Sequence, residues 1–271
     1  MASVPTTGLV QRLEARQVNG AGVAQPAHGT AVQSWVDLSP ASNWITQGTS
    51  SLRPLFDSSG PYPFLDFDAA DDWMQGGSYA LSPMTWIAAL SDAGSTLTAS
   101  AHMEFGPRPG GIDTYISGTA RPAAYKVDIT SQTAKVTTAA VVPTVAPFLT
   151  TGLIAADGAM TLKIGGAIVG TATGMNVAGS GVRVGKPATG RVFAYALMVW
   201  DRVLTDAEQA QVHSYLQDTT GAGAADYVPP AAPTNLTLNA VRATEADPSW
   251  TASSDAVSYE VSVTEQNYGG P

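Results

Sequence analysis

Tyr195-Ala196-Leu197-Met198-Val199-Trp200 decides the fold class. Successive side chains on a strand point to opposite faces, and here both parities are apolar, so the stretch predicts a strand buried on both sides. It closes a longer β pattern over 191–200. Just beyond it, Thr205-Asp206-Ala207-Glu208 reads as a capping box. The Thr205 hydroxyl can accept from the Glu208 amide while the Glu208 carboxylate reaches back to the Thr205 amide. A helix over 205–218 follows, stopped by Gly221, with Ala207, Val212, Tyr215 and Leu216 on its apolar face. Gln209, His213 and Gln217 then face outward, His213 as a solvated residue, and the helix is expected to close one edge or end of the sheets.

Upstream, the chain is a succession of short strands cut by glycine and proline: 8–16, 30–37, 63–67, 84–90, 96–105, 112–117, 123–130, 134–141, 147–154, 160–164, 167–172 and 182–184. Residues 161–164 alternate polar and apolar before Gly165-Gly166, a two-residue hairpin signal. So many strands in one domain predict an all-β sandwich of two antiparallel sheets with one C-terminal helix, and Trp35, Phe67, Leu197 and Val199 in its core. After Gly221 the composition changes. Residues 222–232 are an Ala/Gly/Pro linker, and from Pro233 a second β pattern begins with Leu236, Leu238, Trp250, Tyr259 and Val261.

Composition narrows the chemistry. The 271 residues hold no cysteine, which excludes disulfides, thiolate zinc sites and a cysteine nucleophile. The three histidines, His28, His102 and His213, are too far apart to read as a metal motif. With 22 acids against 13 bases the net charge is −9, so nucleic acid and anionic membranes are poor partners. No apolar run reaches the roughly 18 residues of a membrane helix, and the first residues carry no visible secretory signal.

Two resemblances cover most of the chain. Residues 8–221 resemble the concanavalin A-like (laminin G-like) jelly-roll domains of bacterial surface proteins and of phage tail and virion proteins. The resemblance is carried by W-x-D-L-S at Trp35–Ser39, F-D-x-x-D-D at Phe67–Asp72 and V-W-D-R-x-L-T-D-A-E at Val199–Glu208. Glu14 and Arg16 depart from it, standing where relatives often have Asp and Ser, and residues 90–150 match little. The second covers 233–271. Pro233, Leu236, Trp250, Tyr259 and Val261 are similar to the opening of a fibronectin type III domain. Such a sandwich needs on the order of 100 residues, so the segment is incomplete here. The organisation implied is a jelly roll over 1–221, a linker over 222–232 and an incomplete fibronectin-like segment over 233–271.

The jelly-roll fold hosts lectins, glycanases and inert modules alike, so chemistry has to be sought in particular residues. The glycanase pattern E-x-D-x-E is absent, and its nearest approach is Asp66-Phe67-Asp68. Asp68, Asp71 and Asp72 form the densest acidic cluster; they either hold calcium or cap a turn through bonds to their own backbone. Among the tryptophans Trp35, Trp44, Trp73, Trp86 and Trp200, the readings are core for Trp35 and Trp200. Trp73, between the acidic turn and Gly76-Gly77, is the candidate for stacking on a ligand from an exposed loop. His102, Glu104, Arg108 and Tyr115 flank a Pro/Gly-rich tip over 106–111, a second candidate contact region.

The expected function is that of a non-enzymatic bacteriophage virion protein, a minor tail or tail-tip component that adsorbs to host-surface glycan. The alternatives are a capsid decoration protein and the carbohydrate-binding module of a bacterial secreted protein. The expected partners are other virion proteins, further copies of the chain and a cell-surface glycan, in a particle assembled in the host cytoplasm.

Overall fold

In the computed structural model the described residues are 3–68, 70–80, 83–92, 99–105, 112–117, 126–130, 135–137, 146–174, 180–185, 191–223, 234–242 and 245–251. In chain order the strands are β1 (Leu9–Glu14), β2 (Ser34–Trp35), β3 (Ile45–Thr46), β4 (Leu55–Asp57), β5 (Phe64–Phe67), β6 (Met74–Ala80), β7 (Met84–Asp92), β8 (Ala99–Phe105) and β9 (Ile112–Ser117). There follow β10 (Lys126–Thr130), β11 (Lys135–Thr137), β12 (Phe148–Ile154), β13 (Met160–Ile164), β14 (Ala167–Ala172), β15 (Ser180–Val184) and β16 (Val192–Trp200). The helix α1 (Asp206–Thr220) comes next, then β17 (Thr234–Arg242) and β18 (Glu245–Thr251).

The first sheet runs β14-β13-β12-β7-β16-β5-β4, with β1 also paired to β16. The second runs β11-β10-β9-β8-β15-β6-β3-β2. Pairing within both is antiparallel, so the protein is an all-β sandwich with one described α-helix. Between the sheets, Leu13, Phe67, Trp86, Leu90, Leu197 and Val199 of the first pack with Trp35, Ile45, Met74, Phe105, Val182 and Val184 of the second. The four residues expected in the core are there: Trp35, Phe67 and Val199 are 0% exposed and Leu197 2%.

The doubly apolar strand is central, and both of its faces are covered. Leu197 and Val199 face the second sheet, while Ala196, Met198 and Trp200 join Ile87, Ala89 and Leu149 on the opposite side, beneath Val212, Tyr215 and Leu216 of α1. The helix therefore lies over the outer face of the first sheet rather than at an edge or end. The reason is energetic: each large apolar side chain on that face gains roughly 1.5–3 kcal/mol from being covered. A bulge adds a twist to the pattern. Pairing with β7 shifts between Ala194 and Ala196, so Val192 and Ala194 face inward before it and Leu197 and Val199 after it.

The capping box forms as expected. Thr205 Oγ1 accepts from the Glu208 N–H at 3.3 Å, and Glu208 Oε2 accepts from the Thr205 N–H at 2.9 Å. Gly221 ends the helix in the left-handed region, at φ 64°. The helix face differs from the expectation. Ala207 is exposed and Gln209 buried, because 209, 212, 216 and 219–220 form the stripe turned to the sheet. Gln209 meets the cost of burial by donating to the Leu204 carbonyl at 2.8 Å. His213 is half-buried rather than solvated, and its Nε2 shares a hydrogen bond with Thr151 Oγ1 at 2.8 Å.

Strands β3, β4 and β6 had no counterpart in the sequence reading. β6 carries Gly76-Gly77, a pair that reads as loop, yet Gly76 is required within the sheet. A Cβ there would sit 2.1 Å from the Trp44 carbonyl oxygen on the neighbouring strand segment.

The chain divides into two compact units, Met1–Tyr227 and Val228–Pro271. The second contains the antiparallel pair β17 and β18, with Leu236 and Leu238 on β17 and Trp250 on β18. Pro233, Tyr259 and Val261, on which the fibronectin resemblance also rests, lie outside the described residues.

Candidate functional site

The second sheet has one face in the core and one that α1 does not cover. Register settles which residues take the outer face, because residues directly opposite one another in an antiparallel pair share a side. Trp35, Ile45, Gly76, Val182 and Phe105 are opposite one another in turn across the sheet, an apolar inward row. One residue along, the row is Ser34, Thr46, Gln75, Arg183 and Glu104. It is polar at each of these five strands. Five strands at about 4.8 Å spacing make it about 19 Å long.

Arg183 organises this row. Its Nη1 donates to Glu104 Oε2 at 3.1 Å and its Nη2 to Gln75 Oε1 at 3.1 Å. The guanidinium lies over the Trp73 ring, 5.0 Å from its centroid, a cation–π contact. Trp73, expected at an exposed loop, is thus half-buried immediately before β6. Among the tryptophans whose side chains are described, Trp44 is the one turned to solvent, at 49% exposure, two residues before Thr46 of the row. Beside β2, a cleft of about 380 Å³ is lined by Asn19, Pro26, Ala27, Thr30 and Gln33 and reaches Ser34 at the row's end.

The structure therefore brings together two of the expected ligand residues, Trp73 and Glu104, through a third that the sequence reading passed over. Tyr115 takes a register position on β9 opposite Ala101 and Asp128, two residues along from Asp113. His102 lies on β8, and Arg108 is outside the described residues. Arg183 did leave a signal in the sequence. A cation between two valines in Val182-Arg183-Val184 marks an outward position on an otherwise buried strand.

The acidic cluster behaves as a turn. Asp68 Oδ1 accepts from the backbone N–H groups of Ala70 (2.9 Å), Asp71 (3.1 Å) and Asp72 (3.4 Å), and the Asp68 N–H donates to Asp72 Oδ2 at 3.1 Å. The same three side chains each bring an oxygen within 4.8 Å of the others. Calcium takes six to eight oxygen ligands, more than these carboxylates offer once the backbone bonds are counted, so solvent would have to complete such a site. Burial, with the charges of Asp68, Asp71 and Asp66 adding to it, pushes the Asp72 carboxyl up to about 6 from its usual 3.8. Between those values the folded chain holds a proton that the unfolded chain has released. The stabilisation from Asp72 is fully present below pH 3.8 and disappears as pH rises through 6, a change of up to about 3 kcal/mol. Asp72→Asn should therefore melt above the wild type at pH 8 and converge with it toward pH 4. Thermal melts across that range check this, and a gap that is largest at pH 4 would contradict it.

Two further polar clusters are occupied by structural bonds. Asp66 pairs bidentately with Arg191, at 2.8 and 2.5 Å, and Asp68 caps the turn, so the nearest approach to a glycanase carboxylate pair is tied up on both sides. Glu14, 2% exposed, accepts from Arg12 Nε (2.6 Å), Arg16 Nε (2.7 Å) and the Tyr215 hydroxyl (2.8 Å). Both arginines also donate to the Tyr215 oxygen. Glu14 and Arg16, the departures from the jelly-roll pattern, thus act together in fastening α1 to β1.

No family model matches the sequence, and no curated protein does. Solved structures do share the fold. The chain is similar to Trypanosoma rangeli sialidase in complex with 2,3-difluorosialic acid, at 15% identity and a TM-score of 0.57, over 80% of this chain and 34% of that one. It is also similar to the binding domain of botulinum neurotoxin serotype D/C, at 12% identity and a TM-score of 0.54, over 78% of this chain and 52% of that one. The chain spans a third to a half of these neighbours. At such identities the likeness is one of fold, and an enzyme and a binding domain share it, so the fold alone assigns no reaction.

Proposed function

We propose that this chain is a non-enzymatic β-sandwich module that adsorbs to carbohydrate through the outer face of its second sheet, borne on a bacteriophage particle as a minor tail or tail-tip component. The observation that carries the binding role is the polar row from Ser34 to Glu104, with solvent-turned Trp44 beside it and Trp73 under Arg183. Hydroxyl-rich ligands are held by orienting hydrogen bonds next to the apolar faces of aromatic rings, and this face offers both. The placement in a phage particle rests on the resemblance of Trp35–Ser39, Phe67–Asp72 and Val199–Glu208 to virion jelly rolls.

A glycan array probed with the wild type and with Trp44→Ala and Trp73→Ala tests the binding role. The expected result is a set of wild-type hits that each substitution weakens at least tenfold, about 1.4 kcal/mol. Hits that neither substitution touches would move the site off this face, and an array with no hits would remove the binding role. Peptides of this chain in purified phage particles would support the particle assignment.

A further inference from the structure

Resting on the carbohydrate-binding reading, we propose that the ligand is an oligosaccharide of several contiguous sugar units that runs along β3 and β6, stacked on Trp44 at one end and hydrogen-bonded to Arg183 at the other. Alternation fixes the two ends. Ile45 and Met74 are buried in the core. The residues on either side of each, Trp44 and Thr46, Trp73 and Gln75, therefore turn to the outer face. Thr46 is directly opposite Gln75, and the two strands are antiparallel. Trp44, two residues before Thr46, and Trp73, two residues before Gln75, thus fall on opposite sides of that pair. Four residues of strand rise separate them, about 13 Å. A single sugar ring, comparable in width with one indole, reaches one end only. A chain of several units reaches both, with Thr46 and Gln75 beneath its middle.

The ends differ in chemistry. Trp44 is exposed and offers a ring face to the apolar face of a sugar. Arg183, opposite Gln75 on β15, has its guanidinium drawn over Trp73. Nη1 and Nη2 carry two N–H groups each and spend one apiece on Glu104 and Gln75. Nε is buried with no partner among the described residues, so the 36% of the side chain open to solvent lies elsewhere than at Nε. One N–H on each Nη remains for an acceptor oxygen of the ligand, hydroxyl or carboxylate. Both ends are held before a ligand arrives. Asn43, next to Trp44, donates its backbone N–H to Asp37 Oδ2 at 2.6 Å and its carboxamide to the Val10 carbonyl at 2.7 Å, and its own carbonyl accepts from Gln11 Nε2. Asp37 is buried and also accepts from the backbone N–H groups of Arg12 and Ser39. The W-x-D-L-S motif therefore anchors the segment that presents Trp44. Two contact points at a fixed separation cost little ordering when a ligand of matching length binds.

The test measures affinity of the full chain for a neutral and a uronate-bearing oligosaccharide series, each from monosaccharide to hexasaccharide. Wild type, Trp44→Ala, Arg183→Lys and Thr46→Leu are compared, with circular dichroism confirming that each is folded. Wild-type affinity in at least one series should rise at least about tenfold from disaccharide to tetrasaccharide, as the second contact joins the first, and level off beyond. Trp44→Ala and Arg183→Lys should each remove that rise. Thr46→Leu, which raises a branched apolar side chain in the path, should weaken the tetrasaccharide about tenfold. Affinity that does not change with length, or a length gain that Arg183→Lys and Thr46→Leu both leave intact, would overturn the two-ended site while leaving carbohydrate binding standing. Failure of folded wild type to bind any series would overturn both.

Discussion

Replacing Glu14 with alanine should lower the free energy of unfolding by about 3–5 kcal/mol, the cost of removing one member of a buried ion group. Glu14 is the shared anion for two guanidinium groups and one phenol, and its own side chain is 2% exposed. Without it, Arg12 and Arg16 keep their positive charge beside the Tyr215 ring, which each stacks over at 5.1 and 5.5 Å. The two arginine side chains are 23% and 30% exposed, so water recovers part of the loss, and the effect should fall toward the lower end of that range. Tyr215→Phe removes one hydroxyl and leaves the ion pairs, so it should cost less, about 1–3 kcal/mol. Urea unfolding of the two variants checks the order. A Glu14→Ala loss below that of Tyr215→Phe would show that the charges are already hydrated and that the phenol does the fastening.

This cluster also shows how far the sequence could be read. The central strand, the capping box, Gly221 and the exact extents of β9, β13 and β14 were all legible, because each depends on residues close together in the chain. Arg12, Glu14, Arg16 and Tyr215 meet across about two hundred positions, and no local periodicity announces such a meeting. The helix face went astray for a related reason. Ala207 and Gln209 were sorted by hydrophobicity alone, whereas the buried position went to the residue on the stripe, and Gln209 found a carbonyl there. The candidate site was half visible. Trp73 and Glu104 were named from loop position and residue type, but their connection through Arg183 depends on the order β8-β15-β6, in which strands far apart in the chain become neighbours. Trp44, one of five tryptophans considered, gave no local sign of being the exposed one.

Gly152→Ala should be the most damaging single-methyl addition among the described glycines of the first sheet, costing 3 kcal/mol or somewhat more, at the upper end of the usual ~1–3 kcal/mol for overpacking a core. Gly152 is directly opposite Trp86 in the pairing of β12 with β7. A Cβ at this position would lie 1.9 Å from Cη2 and from Cζ2 of the Trp86 ring. Overlap of that depth is relieved cheaply only if the ring can swing away. Trp86 is 0% exposed, its ring is 4.9 Å from that of Phe105 across the core, and every residue of β12 is buried. A glycine inside an otherwise apolar strand is thus a space left for a neighbouring strand's ring. The matched substitution is Trp86→Phe. It shortens the ring that occupies the glycine's space and also deletes Trp86 Nε1, which is buried without a hydrogen-bond partner. If the clash is the cause, Gly152→Ala should cost less in the Trp86→Phe background than alone, with a coupling of about 0.5–3 kcal/mol. A double-mutant cycle on unfolding free energies measures it. Simple additivity would mean that the alanine is rejected by the backbone of β12 rather than by the tryptophan.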